Sequence, residues 1–149
     1  MADYHHIDPS QLVRTVKDTV QALRRLKRVL GFEQIVCTGI SGQSIAWPVS
    51  YVTGIPVCVV RRKYERGHHG YDVENFKDDQ KYIILDDFIS DGNTVKHIIK
   101  NLKGQNPKAL ELCMGIYCYS PAYTEHVMVD RVRLYMYDKD SKKRREATM

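Results

Sequence analysis

The stretch Tyr82-Ile83-Ile84-Leu85-Asp86-Asp87-Phe88-Ile89-Ser90-Asp91-Gly92-Asn93-Thr94 decides how this chain is read. Four apolar residues make a short buried strand, two adjacent carboxylates close it, and a turn of small polar residues follows. Beyond the turn, Val95, Ile98, Ile99 and Leu102 recur at helical spacing and give the next helix one apolar face. In open α/β sheets, ligands sit beyond the carboxyl ends of the strands, which is where this turn must lie.

The turn has the makings of an anion site. Ser90, Asp91, Gly92, Asn93 and Thr94 present several backbone N–H groups at the start of a helix, an arrangement suited to a phosphate. Gly92 lets the backbone approach closely, and the hydroxyls of Ser90 and Thr94 can donate further hydrogen bonds. The helix dipole contributes only about 0.3–1 kcal/mol, so the N–H and hydroxyl donors must supply most of the grip. Asp86 and Asp87 stand a few residues upstream, within reach of hydroxyls on the molecule that carries the phosphate. A phosphate together with vicinal hydroxyls describes a ribose 5-phosphate.

Working outward, helix and strand signals alternate, which argues for an α/β fold around a mostly parallel central sheet flanked by helices. Leu12, Val13, Val16, Val20, Leu23, Leu26 and Leu30 predict a helix over 10–30, started by Asp8 or Ser10 and stopped by Gly31. Ile35-Val36-Cys37 reads as a buried strand running into Thr38-Gly39-Ile40-Ser41-Gly42. A second helix is expected over about 43–53, where Pro48 would kink it or delay its start. Val57 to Val60 form the next strand, and Leu110–Tyr119 and Val132–Tyr137 complete the sheet.

Composition fits that picture. The 149 residues suit one domain with a core of ordinary size, and 43% hydrophobic with 28% charged is typical of a soluble globular chain. No apolar run approaches the roughly 20 residues of a membrane span, and MADYHHIDPS has no secretory apolar core, so a cytoplasmic location is expected. Cys37, Cys58, Cys113 and Cys118 form no CxxC pair and read as reduced thiols.

The formal charge of +5 is concentrated in two places. Residues 139–149 hold five basic and two acidic side chains, net +3, and read as a solvated, disordered tail to a domain spanning 1–138. Residues 61–70 hold Arg61, Arg62, Lys63 and Arg66 against Glu65, again +3, and the rest of the chain carries −1. Nucleic-acid binders carry a broad basic face, so no such partner is expected here. The internal cluster, with Gly67, His68, His69 and Gly70, reads as a mobile loop built to meet a small anion.

The stretch from Asp86 to Thr94 resembles the phosphoribosyl-pyrophosphate (PRPP) signature of the type I phosphoribosyltransferases. Gly39-Ile40-Ser41-Gly42 resembles that family's pyrophosphate loop. Gly54-Ile55-Pro56-Val57 leads into its strand in the family's manner. Val60 to Lys63 with His68, His69 and Gly70 resembles the flexible catalytic loop, most like that of the orotate enzymes. The likeness covers about 35–105; elsewhere it rests on element order alone. Other owners of paired acids fit less well, since receiver domains place theirs on the first strand and here 85 residues come first.

The resemblance implies a phosphoribosyltransferase fold with a minimal hood, in which a nitrogen nucleophile displaces pyrophosphate from C1 of PRPP in the presence of Mg2+. Asp86 and Asp87 would hold the ribose hydroxyls, directly or through metal-bound water, and favour an oxocarbenium-like ring. Ser90, Asp91, Gly92, Asn93 and Thr94 would anchor the 5-phosphate. The Gly39, Ile40, Ser41 and Gly42 backbone would receive the pyrophosphate. Arg61, Arg62, Lys63 and His69 would close over the leaving group. A carboxylate facing a phosphate is repelled, so Asp91 is expected to turn outward or cap the helix. The family also implies a homodimer. The acceptor base is left open, because no aromatic-plus-acid pattern of a purine enzyme follows Val132–Tyr137. The rival reading is a non-catalytic PRPP or nucleotide sensor on the same fold. His5, His6, His97 and His126 receive no role, and Trp47 and the tyrosines read as core and surface filler.

Overall fold

The structure, a computed structural model, describes residues 8–62, 72–87, 92–120, 128–129, 132–136 and 145–147. Helix α1 (Pro9–Leu30) begins at Asp8, whose side chain accepts from the Gln11 amide while the Gln11 side chain reaches back, a reciprocal capping box. It stops at Gly31, whose left-handed φ of 74° lets the amide return to the Lys27 carbonyl. The apolar stripe of α1 places Val20, Leu23 and Leu26 in the core.

Next come β1 (Gln34–Cys37), α2 (Gly39–Thr53), β2 (Val57–Val60), the short β3 (Val73–Glu74), β4 (Tyr82–Asp86), α3 (Asn93–Lys103) and a single turn, α4 (Ala109–Leu112). The remaining strands are β5 (Cys113–Cys118), β6 (Met128–Val129), β7 (Val132–Met136) and β8 (Arg145–Ala147). Spatial order is β3-β2-β1-β4-β5-β7-β6, with β8 also paired to β7. The five central strands are parallel, and β3, β6 and β8 add antiparallel edges. The expected α/β class with a mostly parallel sheet is what the chain adopts.

Alternation along the buried strands sorts side chains onto two faces. Ile35, Cys37, Val57, Val59, Ile83 and Leu85 pack with α1 and α2 on one face. Val36, Cys58, Val60, Tyr82 and Ile84 pack with α3 and Ala109 on the other. Two buried polar side chains find backbone partners far off in sequence. Gln34 makes three hydrogen bonds with the backbone of Lys77 and Gln80, and the Tyr82 hydroxyl donates to the Ala109 carbonyl at 2.8 Å.

Three boundaries differ from expectation. Helix α2 starts at Gly39 rather than near 43, so Gly39–Gly42 is its first turn, and Pro48 lies inside it. The bond Pro48 forgoes is to the carbonyl of the exposed Ser44, a small loss beside the burial of Ile45, Ala46 and Val49. Leu110–Leu112, expected in a strand, are helical because the Tyr82 and Asn106 side chains hold the backbone in a turn there. Residues 145–147, within the tail expected to be disordered, pair with β7. Trp47 is half-exposed on α2, near exposed Ile40, Tyr51 and Val52.

Leu23 is fully buried between α1 and the sheet, whereas Val29 is 80% exposed. Leu23→Ala is therefore expected to cost about 2–5 kcal/mol in urea unfolding, and Val29→Ala to stay within about 0.5 kcal/mol.

Candidate active site

Strands β1 and β4 run side by side in parallel, with Gln34 opposite Tyr82 and Val36 opposite Ile84. Yet the helix after β1 packs on one face of the sheet and the helix after β4 on the other. Where adjacent strands send their helices to opposite faces, a crevice opens beyond their carboxyl ends. The Gly39–Gly42 turn and the Asp86-Asp87 pair flank that crevice.

The β1 side is built by close packing. A Cβ on Gly42 would meet the Cys37 Cβ at 3.0 Å and the Leu85 carbonyl oxygen at 3.3 Å, so the first turn of α2 lies against the ends of both strands. Gly39 has a left-handed φ of 69°. Thr38, the residue before α2, makes no capping bond; its hydroxyl donates instead to the Val60 carbonyl and ties β1 to β2. The leading N–H groups of α2 therefore have no side-chain cap.

The β4 side carries the charge. Asp86 is only 5% exposed, and one of its carboxylate oxygens accepts from the Asp87 amide at 2.9 Å. Burial raises its pKa well above the carboxylate range; the neighbouring Asp87 adds to the rise, and Arg62 opposes it. Asp87 is partly exposed. Helix α3 starts from Gly92, in the left-handed region at φ 83°, and has no side-chain cap. Asn93 and Thr94 follow in its first turn.

The two arginines after β2 part company. The Arg62 guanidinium lies over Gly39, 3.3 Å from where a Cβ would stand, and its charge is felt at Asp86. Arg61 instead pairs with Glu74 of β3 at 2.5 Å. Of the residues singled out in the sequence, Gly39, Ile40, Ser41, Gly42, Arg62, Asp86, Asp87, Gly92, Asn93 and Thr94 all follow the carboxyl ends of the central strands β1, β2 and β4. Lys63, His69, Ser90 and Asp91 lie outside the described residues.

Two neighbours went unrecognised in the sequence. His97, on α3, has its Nε2 2.9 Å from the Arg61 carbonyl oxygen and so joins α3 to the root of the basic stretch. Tyr119, just past β5, bonds through its amide to the Asp86 carbonyl at 3.1 Å and through its hydroxyl to the Ser41 carbonyl at 2.7 Å. Neither carries a motif; only the meeting in space of residues 61 and 97, and of 41 and 119, reveals them. Among the described residues, no group of three or more His, Cys, Asp or Glu side chains could hold a metal, and no helix is long and apolar enough to cross a membrane.

No sequence-family profile matches the chain, and no curated protein matches it in sequence. Solved structures do match. A purine phosphoribosyltransferase from Pyrococcus horikoshii is similar at a TM-score of 0.56 and 21% identity, over 86% of this chain and 83% of that one. A phosphoribosyltransferase from Corynebacterium diphtheriae is similar at 0.53 and 18% identity, over 72% and 70% of the two chains. An orotate phosphoribosyltransferase from Mycobacterium tuberculosis, solved with PRPP, is similar at 0.55 and 12% identity, over 78% and 68%. With a mostly parallel sheet and the helices after β1 and β4 on opposite faces, the chain has the phosphoribosyltransferase fold.

Proposed function

We propose that this protein is a phosphoribosyltransferase, which transfers the ribose 5-phosphate of PRPP to a nitrogenous base and releases pyrophosphate in a magnesium-dependent reaction. One observation carries the reading. Two helix N-termini, with no side-chain cap from Thr38 or Gly92 among the described residues, and a buried acid lie where β1 and β4 send their helices to opposite faces. That arrangement offers two anion sites with a carboxylate between them, matching a molecule phosphorylated at both ends of a pentose. A structural neighbour solved with PRPP supports the same reading.

In this mechanism the first turn of α2, Gly39–Gly42, receives the pyrophosphate, and Gly92, Asn93 and Thr94, with Ser90 and Asp91, receive the 5-phosphate. Asp86 and Asp87 accept hydrogen bonds from the ribose hydroxyls and stabilise the positive ring as the bond to pyrophosphate breaks. Arg62 already lies over the pyrophosphate turn and neutralises the departing charge. Lys63 and His69 join it in excluding water, and Arg61 can do so only by leaving Glu74. Mg2+ would be held by PRPP itself, with Asp86 and Asp87 reaching it through the ribose hydroxyls or metal-bound water, in keeping with the reluctance of this ion to shed its waters. When bound, the ion supplies charge neutralisation at the pyrophosphate.

A pyrophosphate-release assay with PRPP, magnesium and a panel of purine and pyrimidine bases tests this directly. Turnover with at least one base is expected, falling on the order of 100-fold in Asp86→Asn or Asp87→Asn. PRPP binding with no turnover on any base would favour a sensor instead. Within the same series, Arg62→Ala should lower kcat/KM more than Arg61→Ala.

Asp86 also separates function from stability. Its pKa is raised on folding, so the native state holds its proton more tightly than the unfolded chain does. From the unfolded value near 3.9 upward, Asp86 therefore makes stability fall as pH rises toward the folded pKa. Asp86→Asn should melt several degrees higher than the parent at pH 7–8, with the gain fading toward pH 4, as read by thermal unfolding across that range.

A further inference from the structure

Tyr119 touches both halves of the crevice. Its amide donates to the carbonyl of Asp86 at 3.1 Å, and the next amide, of Ser120, donates to Asp87 at 2.8 Å, so the β5 end extends the ladder alongside the acidic pair. The side chain then reaches past the end of β4, where burial and then Asp87 and Asp86 disfavour its ionisation, toward α2. Its hydroxyl donates to the Ser41 carbonyl at 2.7 Å, inside the first turn of α2. One residue thus joins the backbone that carries the acids to the backbone of the pyrophosphate turn, 78 positions apart in sequence.

The first turn of α2 needs such an anchor. Its preceding residue, Thr38, spends its hydroxyl on Val60 rather than on a cap, and Gly39 and Gly42 provide no side chains to hold the turn. A first turn without a cap is where a helix frays. A ligand that binds the turn and the acids together gains most when their separation is set before it arrives, because less ordering is left to the binding step.

We propose that Tyr119 is a positioning residue that holds the pyrophosphate turn at a set distance from Asp86 and Asp87, tuning affinity for the diphosphate end of PRPP. This rests on the functional reading above and adds to it a residue outside every motif. The hydroxyl bonds to the first turn of α2, so its loss is expected to act on the diphosphate end of the substrate.

Tyr119→Phe keeps the ring and both backbone bonds and removes only the hydroxyl. Binding of pyrophosphate with magnesium and of ribose 5-phosphate is measured by calorimetry, and steady-state kinetics are run with PRPP. The variant is expected to bind pyrophosphate roughly three- to tenfold more weakly, the scale of one net hydrogen bond. Ribose 5-phosphate affinity should stay within twofold, and KM for PRPP should rise more than kcat falls. Equal weakening of both ligands, with or without a lower Tm, would assign Tyr119 a general structural role and overturn the proposal. Unchanged pyrophosphate affinity would overturn it as well. A parent protein that binds neither ligand would instead refute the phosphoribosyltransferase reading on which this one stands.

Discussion

The site depends on the parallel pairing of β1 with β4. The register that sets Val36 opposite Ile84 brings both strands to an end at the same height, so the turn after one and the acids after the other share an edge. Apolar packing enforces this pairing from both faces, through Ile35, Cys37, Ile83 and Leu85 toward α1 and α2, and through Val36 and Ile84 toward α3. A slip of one residue would exchange the faces of a whole strand and carry its core side chains to the wrong helices. The crevice therefore needs no dedicated scaffold: it is what remains when two neighbouring strands hand their chains to opposite faces.

Within that frame, local chemistry at the site runs against stability. Asp86 lies buried beside another carboxylate, and burial and repulsion both disfavour its charge. Gly39 and Gly92 hold left-handed backbone at the two helix starts, and neither helix has a side-chain cap. Helix α1 shows the opposite economy, with a reciprocal capping box, a left-handed glycine stop and basic residues in its last turn. Departures from good local structure gathered at the carboxyl ends of the central strands of an otherwise consistent fold are the expected mark of a functional site.

The division of labour between Arg61 and Arg62 shows how fine the structural decision is. Adjacent basic residues in an extended segment point to opposite sides. One consequently meets Glu74 on the edge strand, while the other reaches over Gly39 into the crevice. Sequence assigns both to the same cluster, since charge alone does not report direction. Short elements escaped it for a related reason. Strand β3 has two residues and β8 has three, too few for any period to register, and each is defined by its partner across the ladder. The early start of α2 was hidden because Gly39, Ser41 and Gly42 have poor helical propensity, and contact with Cys37 and Leu85 overrides it.

By itself the sequence determined the alternation of helices and strands, the buried strands 35–37, 57–60 and 82–85, the limits of α1, and the acidic pair with the glycine turn after it. Each of these is written in contiguous residues, through hydrophobic period, capping chemistry or a motif of fixed spacing. Tertiary structure alone decided that Tyr119 joins the acidic pair to the first turn of α2, that His97 joins α3 to Arg61, that Arg62 lies over Gly39 while Arg61 turns to β3, and that Asp86 is buried. Those facts depend on which distant segments meet, and a linear pattern holds no record of a contact formed only once the sheet has closed around it.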